Sequence, residues 1–274
     1  MCAKFGLRTA WVDFTRPDAL EEIRSQKPAM VWLESPTNPL LKVIDLEAVC
    51  AVTRPLGIPV VVDNTFATAL VQRPLELGAT LSLTSTTKYI NGHSDALGGA
   101  VCTDDPEWHQ KRGVSQKALG LQPSPFDCWL ITRGIKTLPL RLRQQMANAA
   151  ALADQLADHP RVNWVRYPHR PDHPQHAVAR KQMAAGGAIV TVSFNASQED
   201  TYALCKRLRW FTMAESLGGI ESLICHPATM THAAVSADVK TKLGIDDGLV
   251  RFSVGCEDLA DLQTDLQQAL EQLV

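Results

Sequence analysis

Val60-Val61-Val62-Asp63-Asn64-Thr65 and Thr84-Ser85-Thr86-Thr87-Lys88-Tyr89-Ile90-Asn91-Gly92-His93-Ser94 are the two runs that decide the fold. In the first, an unbroken apolar run ends abruptly in an aspartate. In the second, a lysine between hydroxyl-bearing residues follows the strand-like stretch Thr80 to Leu83. Working outward, short apolar runs recur at Ala10 to Val12, Ala29 to Leu33, Ile58 to Val62 and Leu97 to Cys102, with helix-like stretches between several of them. Asp18 to Arg24 is one such stretch. Another starts at Leu46, where Asp45 can cap it, and Pro55 and Gly57 mark its end. Continuously apolar strands separated by helices predict an α/β fold with a mostly parallel sheet buried on both faces. Ligands of such sheets bind outside the carboxyl ends of the strands. The polar clusters Glu34 to Asn38, Asp63 to Thr65 and Ser85 to Lys88 each follow a strand's end, so all three converge where a site is expected.

From Phe126 to Leu156 the pattern turns helical, with Gly134 and Pro139 as breaks. The stretch Tyr167 to His176 is proline-rich and reads as a linker. Beyond it, Ala188 to Phe194 and Val250 to Val254 read as strands, and Glu199 to Leu208 and Asp258 to Leu273 as helices, the outline of a smaller α+β domain. The expected division is residues 1–145 for the large domain and 146–274 for the small one.

Composition narrows the function. The 274 residues are 45% apolar and 20% charged, and 27 Lys+Arg against 29 Asp+Glu leave a net charge of −2 with no block of one sign. Nucleic acid and acidic membrane surfaces therefore find no electrostatic footprint. No 18-residue apolar run or leader-like h-region is present, and the seven scattered cysteines never fall in C-x-x-C spacing. Reduced thiols and a cytoplasmic location are the expectation.

A lysine after a strand is ordinarily a solvated surface residue. Here Ser85 and Thr87 set two hydroxyls beside Lys88, as a phosphate would require, and Asp63 closes an apolar run where it would favour a protonated partner nitrogen. The pair suggests a Schiff-base lysine and the acidic partner of a pyridine nitrogen, the two groups that pyridoxal phosphate (PLP) chemistry most needs. His159, His169, His173 and His176 invite a metal reading, but no Cys or Glu completes a ligand set and three prolines stiffen the segment, so no metal is expected. The dinucleotide, P-loop and serine-hydrolase fingerprints are absent. Arg251 is a charge inside an apolar strand, and it either meets an internal carboxylate or binds one from a ligand. The glycines in Glu215-Ser216-Leu217-Gly218-Gly219 permit a close backbone approach or simply a tight turn.

These residues resemble the Cys/Met-metabolism family of PLP enzymes, the trans-sulfuration group of cystathionine γ-synthase, cystathionine γ- and β-lyases and methionine γ-lyase. The matching runs are Glu34-Ser35-Pro36-Thr37-Asn38-Pro39, Val62 to Phe66, Ser85 to Asp95, Glu215 to Gly219, Met230-Thr231-His232 and Arg251 to Asp258. The resemblance implies PLP-dependent fold type I, with a large domain lacking its N-terminal segment. It implies Lys88 as the Schiff-base lysine and Asp63, with Thr65 beside it, at the pyridine nitrogen. Ser85 and Thr87 are then phosphate ligands, Asn38 lies near the ring oxygen and substrate, and Ser216 with Arg251 clamps the substrate α-carboxylate. Glu215 resembles the acidic residue that precedes the serine in the γ-enzymes, where β-lyases tend to carry an aromatic. The expected activity is γ-replacement on an activated homoserine ester by cysteine, with γ-elimination as the near alternative and a non-catalytic remnant as the distant one. Amino-acid substrates and a dimer of dimers follow from the same resemblance. Family members carry roughly a hundred more residues ahead of the stretch matching Phe5 to Arg8, so the resemblance also implies a missing stacking aromatic, a missing phosphate loop and weakened PLP binding.

Overall fold

The computed structural model describes residues 2–273 and resolves the chain into two sheets. The first is built from β1 (Val31–Glu34), β2 (Val60–Asp63), β3 (Leu81–Ser85) and β4 (Gly99–Cys102) in that order, with α1 (Ala19–Gln26) ahead of β1 and α2 (Leu46–Thr53) and α3 (Thr68–Val71) in the connections. β1, β2 and β3 run parallel and β4 returns antiparallel. Asp45 caps α2 as expected, accepting from the Ala48 N–H at 2.9 Å, and Gly57 ends the following turn at φ +66°. Ala10 to Val12 forms no strand: the run is short, finds no partner among the described residues, and leaves Trp11 exposed. Burial on both faces holds for the apolar residues of β2 alone, since Trp32 of β1 is 60% exposed and the β4 residues are mostly open.

α4 (Pro106–Leu119), α5 (Pro125–Ile135) and α6 (Leu138–Ala157) lead to the second sheet. That sheet contains β5 (Val162–Arg166), β6 (Ile189–Phe194), β7 (Thr212–Met213), β8 (Leu223–Cys225) and β9 (Leu249–Ser253) in the order β5-β6-β9-β8-β7, antiparallel except for the β7–β8 pair. The remaining helices are α7 (His176–Gln182), α8 (Gln198–Arg207), α9 (Ala237–Leu243) and α10 (Leu259–Leu270). The main core joins Leu142, Leu152 and Leu156 of α6, Val190 and Val192 of β6, Phe252 of β9 and Leu262 and Leu266 of α10, and it extends to Phe66 and Tyr89 beside the first sheet. Pro139 lies in the first turn of α6, where a missing N–H costs nothing, and α6 then runs unbroken through the expected 145/146 division. One helix thus packs on the second sheet and also reaches the turn that carries Lys88.

The stretch Tyr167 to His176 is not a free linker. The Tyr167 hydroxyl donates to the Gly187 carbonyl at 3.0 Å, and His173, 3% exposed, bonds through Nε2 to the Leu41 carbonyl at 3.1 Å. Proline-rich turns can be packed as tightly as helices once their backbone groups have partners. Among the described residues no helix is long and apolar enough to cross a membrane.

Candidate functional site

The site forms where the carboxyl ends of β1, β2 and β3 meet the middle of β9. Parallel register sets Glu34 beside Asp63 on neighbouring strands. The Asp63 carboxylate is fixed on one side only: Oδ1 accepts from the Thr65 amide at 3.0 Å and the Thr65 hydroxyl at 2.6 Å, while Oδ2 accepts no hydrogen bond among the described residues. Thr65 works in two directions, since its Oγ1 also accepts from the Ser85 amide at 2.9 Å and so ties the end of β2 to the end of β3.

Lys88 lies in the π-helical turn Thr86–Ile90 that follows β3. Its Nζ donates to Ser216 Oγ at 3.1 Å, and no carboxylate pairs with it among the described residues. Burial and then the nearby Arg251 charge lower its pKa. An amine so placed is more readily unprotonated, the state that condenses with a carbonyl. Three features hold the turn. Arg141 of α6 donates to the carbonyls of Tyr89 at 3.0 Å and Ile90 at 3.3 Å. Gly92 has φ +73°, and a Cβ there would stand 2.1 Å from that guanidinium. Gly218 has φ +75°, and a Cβ on it would stand 2.8 Å from the Tyr89 nitrogen, so the glycine loop does provide a close backbone approach.

Arg251 is 1% exposed on β9, between Thr191 of β6 and Cys225 of β8. Its guanidinium donates to Asn38 Oδ1 at 2.9 Å and to the carbonyls of Glu215 at 3.0 Å and Ser216 at 2.9 Å, and buried Nε has no partner. All the oxygens it meets are neutral. Of the two readings open from sequence, the internal carboxylate is therefore not the one seen among the described residues. Burial lowers the Arg251 pKa, because taking the guanidinium out of water disfavours its charged form.

The structure gathers Asn38, Asp63, Thr65, Ser85, Lys88, Ser216 and Arg251 around one locus. Two further expected residues have their polar groups placed differently. The Thr87 hydroxyl accepts from the Gly98 amide at 3.0 Å and donates to its carbonyl at 3.3 Å, so it is engaged by the residue just ahead of β4. Glu215 is exposed and reaches Arg251 through its carbonyl rather than its carboxylate. Sequence reasoning missed Arg141. The signal was available: in α6 the buried residues Leu138, Leu142, Ala149, Leu152 and Leu156 recur at helical spacing, and an arginine adjoining that stripe needs a buried partner. Among the described residues no group of His, Cys, Asp or Glu is arranged to hold a metal ion.

The donor set fits PLP on the chemistry of its groups: an amine without an acid partner, a carboxylate with one free oxygen, and an unpaired guanidinium nitrogen. Comparison with known proteins agrees. The sequence model for the Cys/Met metabolism PLP-dependent enzymes matches residues 1–271. Cystathionine γ-lyase of Dictyostelium discoideum is 44% identical over 99% of this chain and 70% of its own length. Cystathionine β-lyase of Coxiella burnetii is 45% identical over 97% and 69%. The crystal structure of cystathionine γ-synthase from Xanthomonas oryzae pv. oryzae with aminoacrylate and cysteine superposes with a TM-score of 0.92 at 46% identity, covering 95% of this chain and 67% of that one. The chain spans 64% to 70% of the length of such curated relatives. With the family's sequence model matched almost end to end and these identities on either side of it, the chain belongs to the Cys/Met metabolism PLP-dependent enzymes.

Proposed function

We propose that this chain carries the active site of a trans-sulfuration enzyme that joins an O-acylhomoserine to cysteine by γ-replacement. The observation that supports it most is the Lys88 amine, lowered in pKa, lacking an acid partner, and 3.1 Å from Ser216 in the loop that Arg251 holds. When bound, PLP supplies an electron sink at the substrate Cα, which is what allows a γ-substituent to leave.

Lys88 would carry the cofactor and afterwards move protons between Cα and Cβ with its Nζ. Asp63, through its free Oδ2, would hold the proton on the ring nitrogen. Ser85 and Thr87 would bind the phosphate, Thr87 turning its proton away from the long bond to Gly98. Arg251, with Asn38 and Ser216, would hold the substrate α-carboxylate, and Glu215 at the exposed mouth would meet the incoming amino group. A dimer of dimers is the assembly in which we expect these groups to work. The second reading, γ-elimination from cystathionine, is favoured by the likeness to the Dictyostelium γ-lyase.

The experiment is a product analysis of the PLP-loaded protein, supplied either with an O-acylhomoserine and cysteine or with cystathionine alone. We expect cystathionine and the free acid in the first mixture, with slow release of ammonia in the second. Fast 2-oxobutyrate and ammonia formation from cystathionine, with no cystathionine synthesis, would replace this reading with the lyase.

A further inference from the structure

Glu34 has no part in the chemistry just described, yet it touches both halves of the site. It ends β1 in register with Asp63 at the end of β2, and register partners in a parallel pair point to one face, about 4.8 Å apart across the strands. Its Oε2 accepts from the Asn38 amide at 3.0 Å. Asn38 in turn presents Oδ1 to Arg251 at 2.9 Å. A single carboxyl therefore stands beside the proposed partner of the ring nitrogen while capping the backbone of the residue that shares the proposed carboxylate clamp.

We propose that Glu34 is the positioning residue of this site, a carboxyl that holds Asn38 against Arg251 and, by gaining or losing one proton, changes the charge beside Asp63. The inference rests on the roles given above to Asp63, Asn38 and Arg251. Two charged groups act on Glu34: Asp63 from β2, which opposes its ionisation, and Arg251 from β9, which favours it. Burial is the largest influence and, with Asp63 added, it outweighs the Asn38 N–H and Arg251, raising the Glu34 pKa to about 7. Below that pH the neutral acid keeps one oxygen for the Asn38 N–H and leaves Asp63 as the one negative group of the pair. Above it the carboxylate grips Asn38 more tightly, because charge-assisted hydrogen bonds are the stronger kind, but it sets a second negative charge beside Asp63. Glutamine at 34 keeps the acceptor and removes the switch, whereas alanine removes both.

The test is ¹³C NMR of the cofactor-free 274-residue chain with carboxyl-labelled glutamate, titrated from about pH 5 to about pH 9. We expect one resonance, missing in Glu34→Gln, to titrate near neutrality, and its midpoint to fall by about half a unit or more in Asp63→Asn, where the like charge is gone. Should Glu34→Gln not fold, Glu34→Asp serves the assignment, since aspartate carries no label. A Glu34 resonance that titrates with the ordinary glutamates, or a midpoint indifferent to Asp63→Asn, overturns the proposal. In the PLP-loaded protein, Glu34→Gln should keep its KM within about threefold and lose an ionisation near neutrality from the kcat profile, while Glu34→Ala should raise KM about tenfold. Equal KM values for the two variants would overturn the hold on Asn38. If Lys88 fails to carry PLP, the reading of the active site falls whatever Glu34 does; if Lys88 carries it and Glu34 titrates ordinarily, this inference alone falls.

Discussion

Arg251 owes its place to a requirement that the rest of its strand does not share. Its neighbours Val250 and Phe252 are buried and apolar, and burying a guanidinium beside them without an anion is costly unless its donors are occupied. Neutral oxygens occupy the terminal nitrogens, leaving Nε free and no carboxylate bonded to the guanidinium among the described residues. A planar carboxylate from a ligand would supply the missing charge. Arg251→Lys keeps the charge but loses the fork, and losing such a contact should cost about 2–5 kcal/mol of transition-state binding, or roughly thirtyfold or more in kcat/KM. Steady-state kinetics on an amino-acid substrate measures this, and an unchanged kcat/KM would remove Arg251 from the clamp. That Arg251 needed a partner was legible in sequence, because a charge within an apolar strand is conspicuous. Which partner was not, because the Asn38 amide and the Ser216 carbonyl arrive from distant parts of the chain.

At the level of elements, legibility followed the apolar pattern. α2 announced itself by Asp45, a buried face and Gly57, and α10 by its stripe of Leu262, Leu266 and Ala269. α4 escaped notice although Asp105 caps it and Gly120 ends it, because none of its side chains is buried and no stripe exists to see. The turns from Tyr167 to His176 escaped for the opposite reason: their order comes from distant contacts. His173 shows the consequence. Nδ1 accepts from the Gln175 amide at 3.1 Å, so the hydrogen must sit on Nε2, which donates to Leu41. Protonation would set a second donor against the Gln175 N–H, and burial independently lowers the pKa from 6.5 to about 4. The sign follows: the unfolded chain takes up this proton first, so the stability held by neutral His173 is full above pH 6.5 and is lost as pH falls from there towards 4. The loss is at most about 3 kcal/mol. Glu34, with its raised pKa, acts with the opposite slope between 4.5 and about 7, so the informative quantity is the difference between proteins. Urea unfolding of wild type and His173→Gln should show the variant less stable at neutral pH, with the gap closing as the pH approaches 4. A constant gap would mean that His173 does not titrate in this way.

In the whole molecule, the site lies between two sheets that neither sheet's own sequence pattern relates to the other. The parallel strands supply Asp63, Ser85 and Lys88 from their carboxyl ends, and the antiparallel sheet supplies Arg251 and the loop with Ser216. α6 joins them, packing on β5 and β6 and clamping the Lys88 turn through Arg141. The α/β character and the residues ending β2 and β3 were readable because each sits beside its own strand. The 145/146 position falls inside α6, where a helix that packs on one sheet and clamps the turn of the other shows no break in its periodicity. The central claim is that this convergence makes Lys88, among all the lysines of the chain, the one that carries PLP. Treat the 274-residue protein with PLP, reduce with borohydride, and map the pyridoxyl group by peptide mass spectrometry. The account predicts the label on Lys88 and its absence from Lys88→Ala; a label on another lysine with Lys88 unmodified would contradict it.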